Sequence, residues 1–402
     1  MYLVTKEKKE CCGCSACGQI CPQDAITFVS IDNEGFKYPV IDENKCVHCR
    51  LCETVCPVES PVYLNEDTPA VYATYLNDEH ERGKSSSGGI FYAIASWIIG
   101  QGGKVYGAAF EENFQLRHQS VSSTRELDKL RGSKYVQSDL GCCFRNIKND
   151  LQKGLWVYFV GTPCQVAGLN NFLKKKYDKL ITSDLVCHGV PSQQLFDQHI
   201  AYLEEKHKVK IVDYAFRNNK GWGVCEIFRF RKPGKEKIQE KRLPSYVLSP
   251  YLYSFMYSYT YRYSCYDCKF ACIPRQGDIT LADYWNVKNF FPNIDTGKGV
   301  SMIMINSAKG KELWEQVKDN CAWEVSNVKD AATYNRNVIH ASVMPSIRET
   351  IYDDIEKDGY MRIAETKFRG KDYRKKRIKF IVKESKWYYF FKKMVNNKNQ
   401  RK

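Results

Sequence analysis

The stretch CCGCSACGQICP, residues 11–22, places five cysteines within eleven residues and ends in Cys-Pro. Three chemistries compete for so many thiols: disulfides, zinc, or an iron–sulfur cluster. Cysteines two residues apart rarely reach disulfide geometry, and the N-terminal MYLVTKEKKE has no apolar core of a secretion signal. Zinc takes four ligands, usually from two separated Cys-x-x-Cys knuckles. The spacing is instead Cys11-x2-Cys14-x2-Cys17-x3-Cys21-Pro22. Three close thiolates plus a Cys-Pro thiolate suit iron. Cys12 falls outside the spacing and reads as a non-ligand.

The pattern repeats. KCVHCRLCETVCP gives Cys46, Cys49, Cys52 and Cys56-Pro57 with the same intervals. This doubled run is that of two-cluster bacterial ferredoxins, where the fourth cysteine of each run serves the other cluster. One 4Fe–4S cluster is therefore expected on Cys11, Cys14, Cys17 and Cys56, and the other on Cys46, Cys49, Cys52 and Cys21. His48, between two ligands, reads as a neighbour of the cluster or an exposed residue.

Eighteen cysteines without an export signal point to a reducing cytoplasm and to metal chemistry rather than bridges. No apolar run is long enough to span a bilayer. The net charge is +15, but residues 367–402 carry 15 Lys and Arg against Asp372 and Glu384. The basic character thus belongs to the C-terminal end. Three segments are expected: an α+β ferredoxin module at 1–66, an α/β domain with a mostly parallel sheet at 67–350, and a basic aromatic tail at 351–402.

Within the first segment, AITFVSIDNEGFKYPVI reads as a hairpin turning at 33–35. From Val71 strands and helices alternate. SSSGG precedes a helical run, and GKVYGAAF, LWVYFV and LITSDLV read as strands, the last two each followed by a helix. This βαβα order predicts parallel strands. Ser192 is the expected N-cap of QQLFDQHIAYLEEK. Cys164 and Cys187 follow two of these strands and fall at their carboxyl ends, where open α/β sheets bind ligands. CYDC supplies Cys265 and Cys268. Together the four would close a third 4Fe–4S site; zinc on the same four is the alternative, and a cysteine is otherwise a small buried hydrophobe. Cys272 is the reserve ligand. Cys142, Cys143, Cys225 and Cys321 read as structural. The Tyr-rich YVLSPYLYSFMYSYTYRYS reads as a packed aromatic segment leading into Cys265.

Lys84–Gly89 opens a helix with free N–H groups, which favours a phosphate; taken alone, the stretch reads better as an ordinary serine cap with flexible glycines. Arg131–Tyr135 could add cationic and hydroxyl contacts to the same pyrophosphate. No GxGxxG is present, which disfavours a Rossmann nucleotide site. His188, beside Cys187, is either a general acid or a partner to the cluster.

In this order, the ferredoxin runs, SSSGG, RGSKYVQS, GTPCQVAGL, DLVCHGVPS, FRNNKGW, CYDC and GDITLADYW resemble the coenzyme F420 hydrogenase/dehydrogenase beta-subunit family over residues 1–350. The resemblance implies a flavin iron–sulfur reductase with one FAD beside a cluster. It implies FAD contacts from Ser86, Ser87, Gly88, Gly89, Ser133, Lys134 and Thr162. Lys220, Trp222, Arg275 and Asp283 lie in its motifs as candidate substrate contacts. Electrons would come from reduced ferredoxin or another redox subunit and leave as a hydride to a small-molecule substrate. The chain also resembles a bacterial branch associated with surface-polysaccharide biosynthesis. An electron-relay subunit without its own substrate is the alternative; a nucleic-acid-binding protein is disfavoured because no such motif occurs. In the tail, Ile378, Val382, Ser385 and Tyr389 share a helical face beside Trp387–Phe391. A peripheral location on the anionic inner face of the cell membrane is expected from that combination.

Overall fold

The computed structural model describes residues 1–217 and 223–384. In the first module, alternating side chains in ITFVS and KYPVI form a hairpin, β1 (Ile26–Ser30) and β2 (Lys37–Ile41). Each cysteine run leads into a short helix, Ala16–Ile20 or Leu51–Thr54, and the two helices lie together.

Short β-rich apolar runs then make an eight-stranded sheet. Its strands are β3 (Ala70–Leu76), β4 (Lys104–Phe110), β5 (Leu116–Val121), β6 (Val157–Gly161) and β7 (Leu180–Leu185), with a later group. Between them, β8 (Lys210–Arg217), β9 (Val224–Arg231) and β10 (Gln239–Leu243) form a separate antiparallel sheet. β11 (Ile279–Asp283), β12 (Ser301–Ile305) and β13 (Cys321–Ser326) complete the large sheet, in the order β13-β3-β12-β11-β7-β6-β4-β5. β4, β6, β7 and β11 are a contiguous parallel block, and β3 shares their direction. β5, β12 and β13 run the other way. The mostly parallel sheet thus has a parallel centre with antiparallel strands towards both edges.

Both faces of the parallel block are covered, as such sheets require. Helices Ile90–Gly100 and Ala308–Val317 pack on one face with Val105, Tyr158 and Ile279. Helices Cys143–Gln152 and Pro163–Leu173 pack on the other with Tyr106, Val157 and Phe159. The β6–β7 register, Val157 opposite Leu180 and Gly161 opposite Asp184, ends the two strands in step. Cys164 and Cys187 therefore emerge at one edge.

The ferredoxin module is locked into the rest of the chain. Phe36 and Tyr38 are buried in the same core as helix Gln193–His207, each contributing about 1.5–3 kcal/mol on the usual burial scale. Glu34 is paired with the buried Arg348 at 2.7 Å. Helix Pro163–Leu173 meets the first cysteine loop at Gly168, where a Cβ would lie 2.9 Å from the sulfur of Cys14. The Tyr-rich segment is packed, with Tyr251, Phe255 and Tyr261 buried.

The 351–402 segment is divided differently from the sequence expectation. Ile351, Tyr352, Ile355, Tyr360, Ile363 and Phe368 are buried in that same core. Their spacing forms an apolar helical face hidden among charged residues, so the folded body runs on to Phe368. Helix Tyr373–Glu384 follows, with Ile378 and Ile381 exposed at 62% and 55%. Ser385 and Trp387–Phe391, Tyr389 included, lie outside the described residues, as do Lys220 and Trp222. Among the described residues no helix is long and apolar enough to cross a membrane.

Candidate functional site

The two cysteine loops share a backbone. Gly13 and His48 occupy equivalent positions with φ of 74° and 51°, and Ser15 and Arg50 follow with φ of 55° and 57°. These left-handed residues turn each loop tightly between its first ligands. Cys11, Cys14, Cys17 and Cys56 line one small cavity. Burial, followed by the neighbouring Cys11 and Cys56, pushes the Cys17 thiol upward. The expected first set thus stands together. In the second set, Cys52 has Cys49 beside it. The sulfur of Cys21 accepts the Ala25 N–H at 3.3 Å, and Cys49 is exposed. His48 Nδ1 lies 3.9 Å from the sulfur of Cys46.

At the carboxyl edge of the parallel strands, Cys164, Cys187, Cys265 and Cys268 face one cavity of about 520 Å³. Burial, with Cys164 and Cys268 as neighbours, pushes Cys187 up to about 12. Burial and Cys164 push Cys268 up to about 11. Cys265 is raised by burial and then by Cys187, Cys268 and Cys164. Thiols this reluctant to ionise alone are the kind that a metal centre deprotonates by its own charge. Cys272 is turned aside, its S–H donated to the Lys269 carbonyl at 3.2 Å. Cys143, Cys225 and Cys321 are buried and Cys142 is exposed. Among the described residues, no three His, Cys, Asp or Glu side chains converge on a single-ion position, the ferredoxin loops included.

The same cavity receives the residues expected to hold a flavin. Ser86, Ser87, Gly89, Ser133, Lys134 and Thr162 line it, and so does His188. Ser86 and Ser133 meet at 3.2 Å, joining two distant loops. Gly88 is absent from the lining; its N–H is donated to Ser301 Oγ at 2.9 Å, and a Cβ would lie 2.4 Å from the Thr74 carbonyl. That glycine serves close packing. Lys134 folds back to donate to the carbonyls of Leu130 and Arg131 at 2.9 and 2.8 Å, and burial pulls its ammonium down to about 7. Thr162 caps helix Pro163–Leu173 in a capping box with Gln165, and its hydroxyl lies 3.2 Å from the sulfur of Cys164.

The His188 ring stacks on Phe255 at 6.5 Å and 13°. Burial lowers its pKa, against an opposing interaction with the Asn335 side chain. Asp283 and Trp285 also line the cavity, and Asp283 is bound by Arg217. Arg275 lies behind it instead, fully buried, donating to the Leu185 carbonyl at 2.9 Å and paired with Asp184 at 3.4 Å.

Three contributors were not singled out from the sequence. His118 lines the cavity, donates its Nε2–H to the Val160 carbonyl, meets the Ser138 hydroxyl at Nδ1, and is lowered to about 4 by burial. Gln137 donates to the Cys12 carbonyl at 3.1 Å. Arg262, fully buried, donates to the carbonyls of Cys11 and Lys37 at 2.6 and 3.1 Å. RGSKYVQS held the signal for Gln137; Arg262 sat unremarked among tyrosines.

Residues 155–331 match the family described as the C terminus of the coenzyme F420 hydrogenase/dehydrogenase beta subunit. Residues 10–60 match the 4Fe-4S dicluster domain. No curated protein matches the chain. Among solved structures, one from the F420-reducing NiFe hydrogenase complex of Methanosarcina barkeri aligns at 14% identity and a TM-score of 0.41. That alignment covers 73% of this chain and 93% of the other. The dicluster domain makes this an iron–sulfur redox protein, and the first match makes it an oxidoreductase of hydrogenase/dehydrogenase type. The chain thus joins a 4Fe-4S dicluster domain to a region that matches the C terminus of the coenzyme F420 hydrogenase/dehydrogenase beta-subunit family.

Proposed function

We propose that the protein is an FAD-dependent iron–sulfur oxidoreductase that takes single electrons from reduced ferredoxin or a redox subunit and delivers a hydride to a small substrate. One observation carries this reading: the four α/β thiols and the expected flavin contacts line one cavity. Iron–sulfur clusters exchange one electron at a time and a flavin stores two.

The donor set fits a third cluster. Cys265 has Cys187, Cys268 and Cys164 as neighbours on one cavity, a four-thiolate set of the kind that holds a four-iron centre. The other wall fits FAD. Ser86, Ser87, Ser133 and Thr162 offer hydroxyls, Gly89 brings bare backbone to the wall, and Lys134 offers a cation. His188 would place an imidazole N–H at the substrate end of the cavity, beside Phe255 and Asn335. Together with Thr162, the capped helix start holds Cys164 in place.

The direct test is anaerobic purification with iron, sulfide and flavin counted per chain. About 12 iron atoms and one flavin are expected, from three four-iron centres. Cys187→Ser with Cys268→Ser should remove about four iron atoms and leave the dicluster pair. Zinc in their place, or no loss of metal, refutes the third centre. Deleting residues 1–66 is a poorer test, because Phe36 and Tyr38 are part of the shared core.

A pH effect follows from Lys134. Its ammonium ionises near pH 7 in the flavin-free protein, and a bound pyrophosphate would return it towards its ordinary value. FAD binding between about pH 7 and 10 should therefore take up a proton, and affinity should fall as pH rises. Calorimetry in buffers of different ionisation heat measures the uptake. Lys134→Met should abolish it and lower flavin occupancy while the dicluster iron stays. Uptake unchanged in that variant would contradict the placement.

The second reading, an electron-relay subunit, differs in lacking hydride exchange with a small molecule, which isotope transfer from reduced flavin decides. We also infer that the tail meets an anionic membrane surface, in keeping with a role near surface-polysaccharide assembly. The exposed Ile378 and Ile381 on a helix with Arg374, Lys375, Lys376, Arg377 and Lys379 support it. Co-sedimentation with anionic but not neutral vesicles, lost on removing residues 373–402, is the expected result.

A further inference from the structure

Cys12 is outside the cluster spacing, yet it is one of the most closely surrounded thiols in the protein. It lines both cavities: the small one with Cys11, Cys14, Cys17 and Cys56, and the large one with Cys164, Cys187, Cys265 and Cys268. It is therefore part of the wall between them. Its thiol is within hydrogen-bond reach of Cys14 on one side and Cys164 on the other.

The surroundings hold it there. Cys12 packs with Cys56, Cys164 and Cys268 around an apolar plug of Val58, Ala167 and Phe270. Its carbonyl accepts from Gln137 at 3.1 Å, and Gln137 in turn accepts from Arg262 at 3.2 Å. Gly168 lets the helix that carries Cys164 close onto Cys14.

We propose that Cys12 is a positioning residue that links the first dicluster centre to the α/β thiol set, its S–H shared between Cys14 and Cys164. This rests on the reading that the α/β set holds a cluster. Cys12 carries one proton and so can donate to one ligand sulfur at a time. Hydrogen bonds to ligand sulfurs raise a cluster's potential, because they stabilise its more negative, reduced form. Were one electron to pass from the first dicluster centre to a centre on the α/β thiols, no bond to Cys12 would be made or broken. Its proton would stay on sulfur and turn from Cys14 towards Cys164, following the negative charge. An alanine there leaves both sulfurs without the donor.

The test uses the full-length holoprotein, purified anaerobically, as wild type, Cys12→Ala and Cys12→Ser. Iron is counted, and each centre is titrated potentiometrically with EPR detection. In Cys12→Ala the iron count is expected to stay at the wild-type value, while the potentials of the first dicluster centre and of the α/β centre both shift down. The other dicluster centre, on Cys46, Cys49, Cys52 and Cys21, is the internal control and should not move. Cys12→Ser keeps an O–H donor and should recover much of both shifts. Loss of about four iron atoms in Cys12→Ala would make Cys12 a ligand and overturn the proposal. Unchanged potentials at full iron content would overturn it while leaving the three-centre reading intact. A wild-type count of about eight iron atoms would remove the α/β centre, and the link with it.

Discussion

Loops 11–22 and 46–57 have the same cysteine spacing and the same left-handed turns, yet they live in opposite environments. At the third position of the first loop stands Gly13, where a Cβ would meet the Gln137 amide at 2.3 Å and Arg262 at 3.3 Å. At the equivalent position of the second stands His48, exposed to solvent. Gln137 and Arg262 grip the first loop by the Cys12 and Cys11 carbonyls. The first ligands of the second loop, by contrast, are flanked by the exposed Val47, His48 and Arg50. A repeated motif has thus been divided into an inner loop that faces the α/β cavity and an outer loop that faces solution. The duplication sets the ligand geometry, and the contacts made around it set which loop faces the α/β cavity.

The largest expected contrast lies in the two arginines. Arg262 is fully buried, stacks on Tyr38 at 4.1 Å and satisfies carbonyls of Cys11 and Lys37. Arg262→Ala leaves those carbonyls unpaired and opens a cavity, and should cost about 3–5 kcal/mol. Arg50 is exposed, 3.9 Å from Glu53, and Arg50→Ala should stay within about 0.5 kcal/mol. Denaturant unfolding of the two variants gives the comparison. Equal effects would erase the distinction between inner and outer loops.

A smaller contrast lies at the third positions. Gly13→Ala combines a left-handed backbone, costing about 1–2 kcal/mol, with the clash against Gln137, which can yield only by releasing the Cys12 carbonyl. His48→Gly relieves the same backbone strain at an exposed site, giving up only the long contact with the Cys46 sulfur, and should be neutral or slightly stabilising. Thermal unfolding with iron loss followed by absorbance measures both. A Gly13→Ala protein as stable as wild type would show that the α/β domain does not press on the inner loop.

Much of this was legible in the sequence, for a local reason. Ligand spacing, the hairpin, the strands ending at Cys164 and Cys187 and the Ser192 cap depend on neighbours along the chain, so residue types and intervals disclose them. The division of labour between the loops was not legible, because Arg262 and Gln137 reach Cys11 and Cys12 from more than 120 residues away. The cavity is assembled from many segments far apart in the chain, so Gly88 looked like a phosphate contact while its neighbours pack it against Thr74 and Ser301. Arg348 and Phe368 sat in a stretch rich in charge, where the buried helical face was outweighed by composition. Cys12 stands outside the spacing in the sequence, but its place between two thiol sets needed the fold.

The smallest expected effect concerns how electrons reach the outer loop. Lys174 donates to Thr54 Oγ1 at 2.9 Å, which brings the exposed run Lys174–Lys176 beside the helix Leu51–Thr54 that carries Cys52. An acidic one-electron carrier such as a ferredoxin would be steered to that side. The steering is modest, since Asp42, Glu43 and Glu53 are close by and Asp42 lies 3.4 Å from Lys45. Exposed charges are also screened beyond about 8 Å at physiological salt. Charge reversal at Lys175 and Lys176 should therefore slow reduction by an acidic donor by roughly tenfold or less at low salt. Both the rate and the difference between variant and wild type should shrink as salt rises. Reduction by a small neutral reductant should not change, because it needs no docking. If the reversal also slows that reagent, the lysines support the cluster's structure rather than its partner. If it slows neither, the carrier docks elsewhere and the outer loop is exposed without being the point of electron uptake.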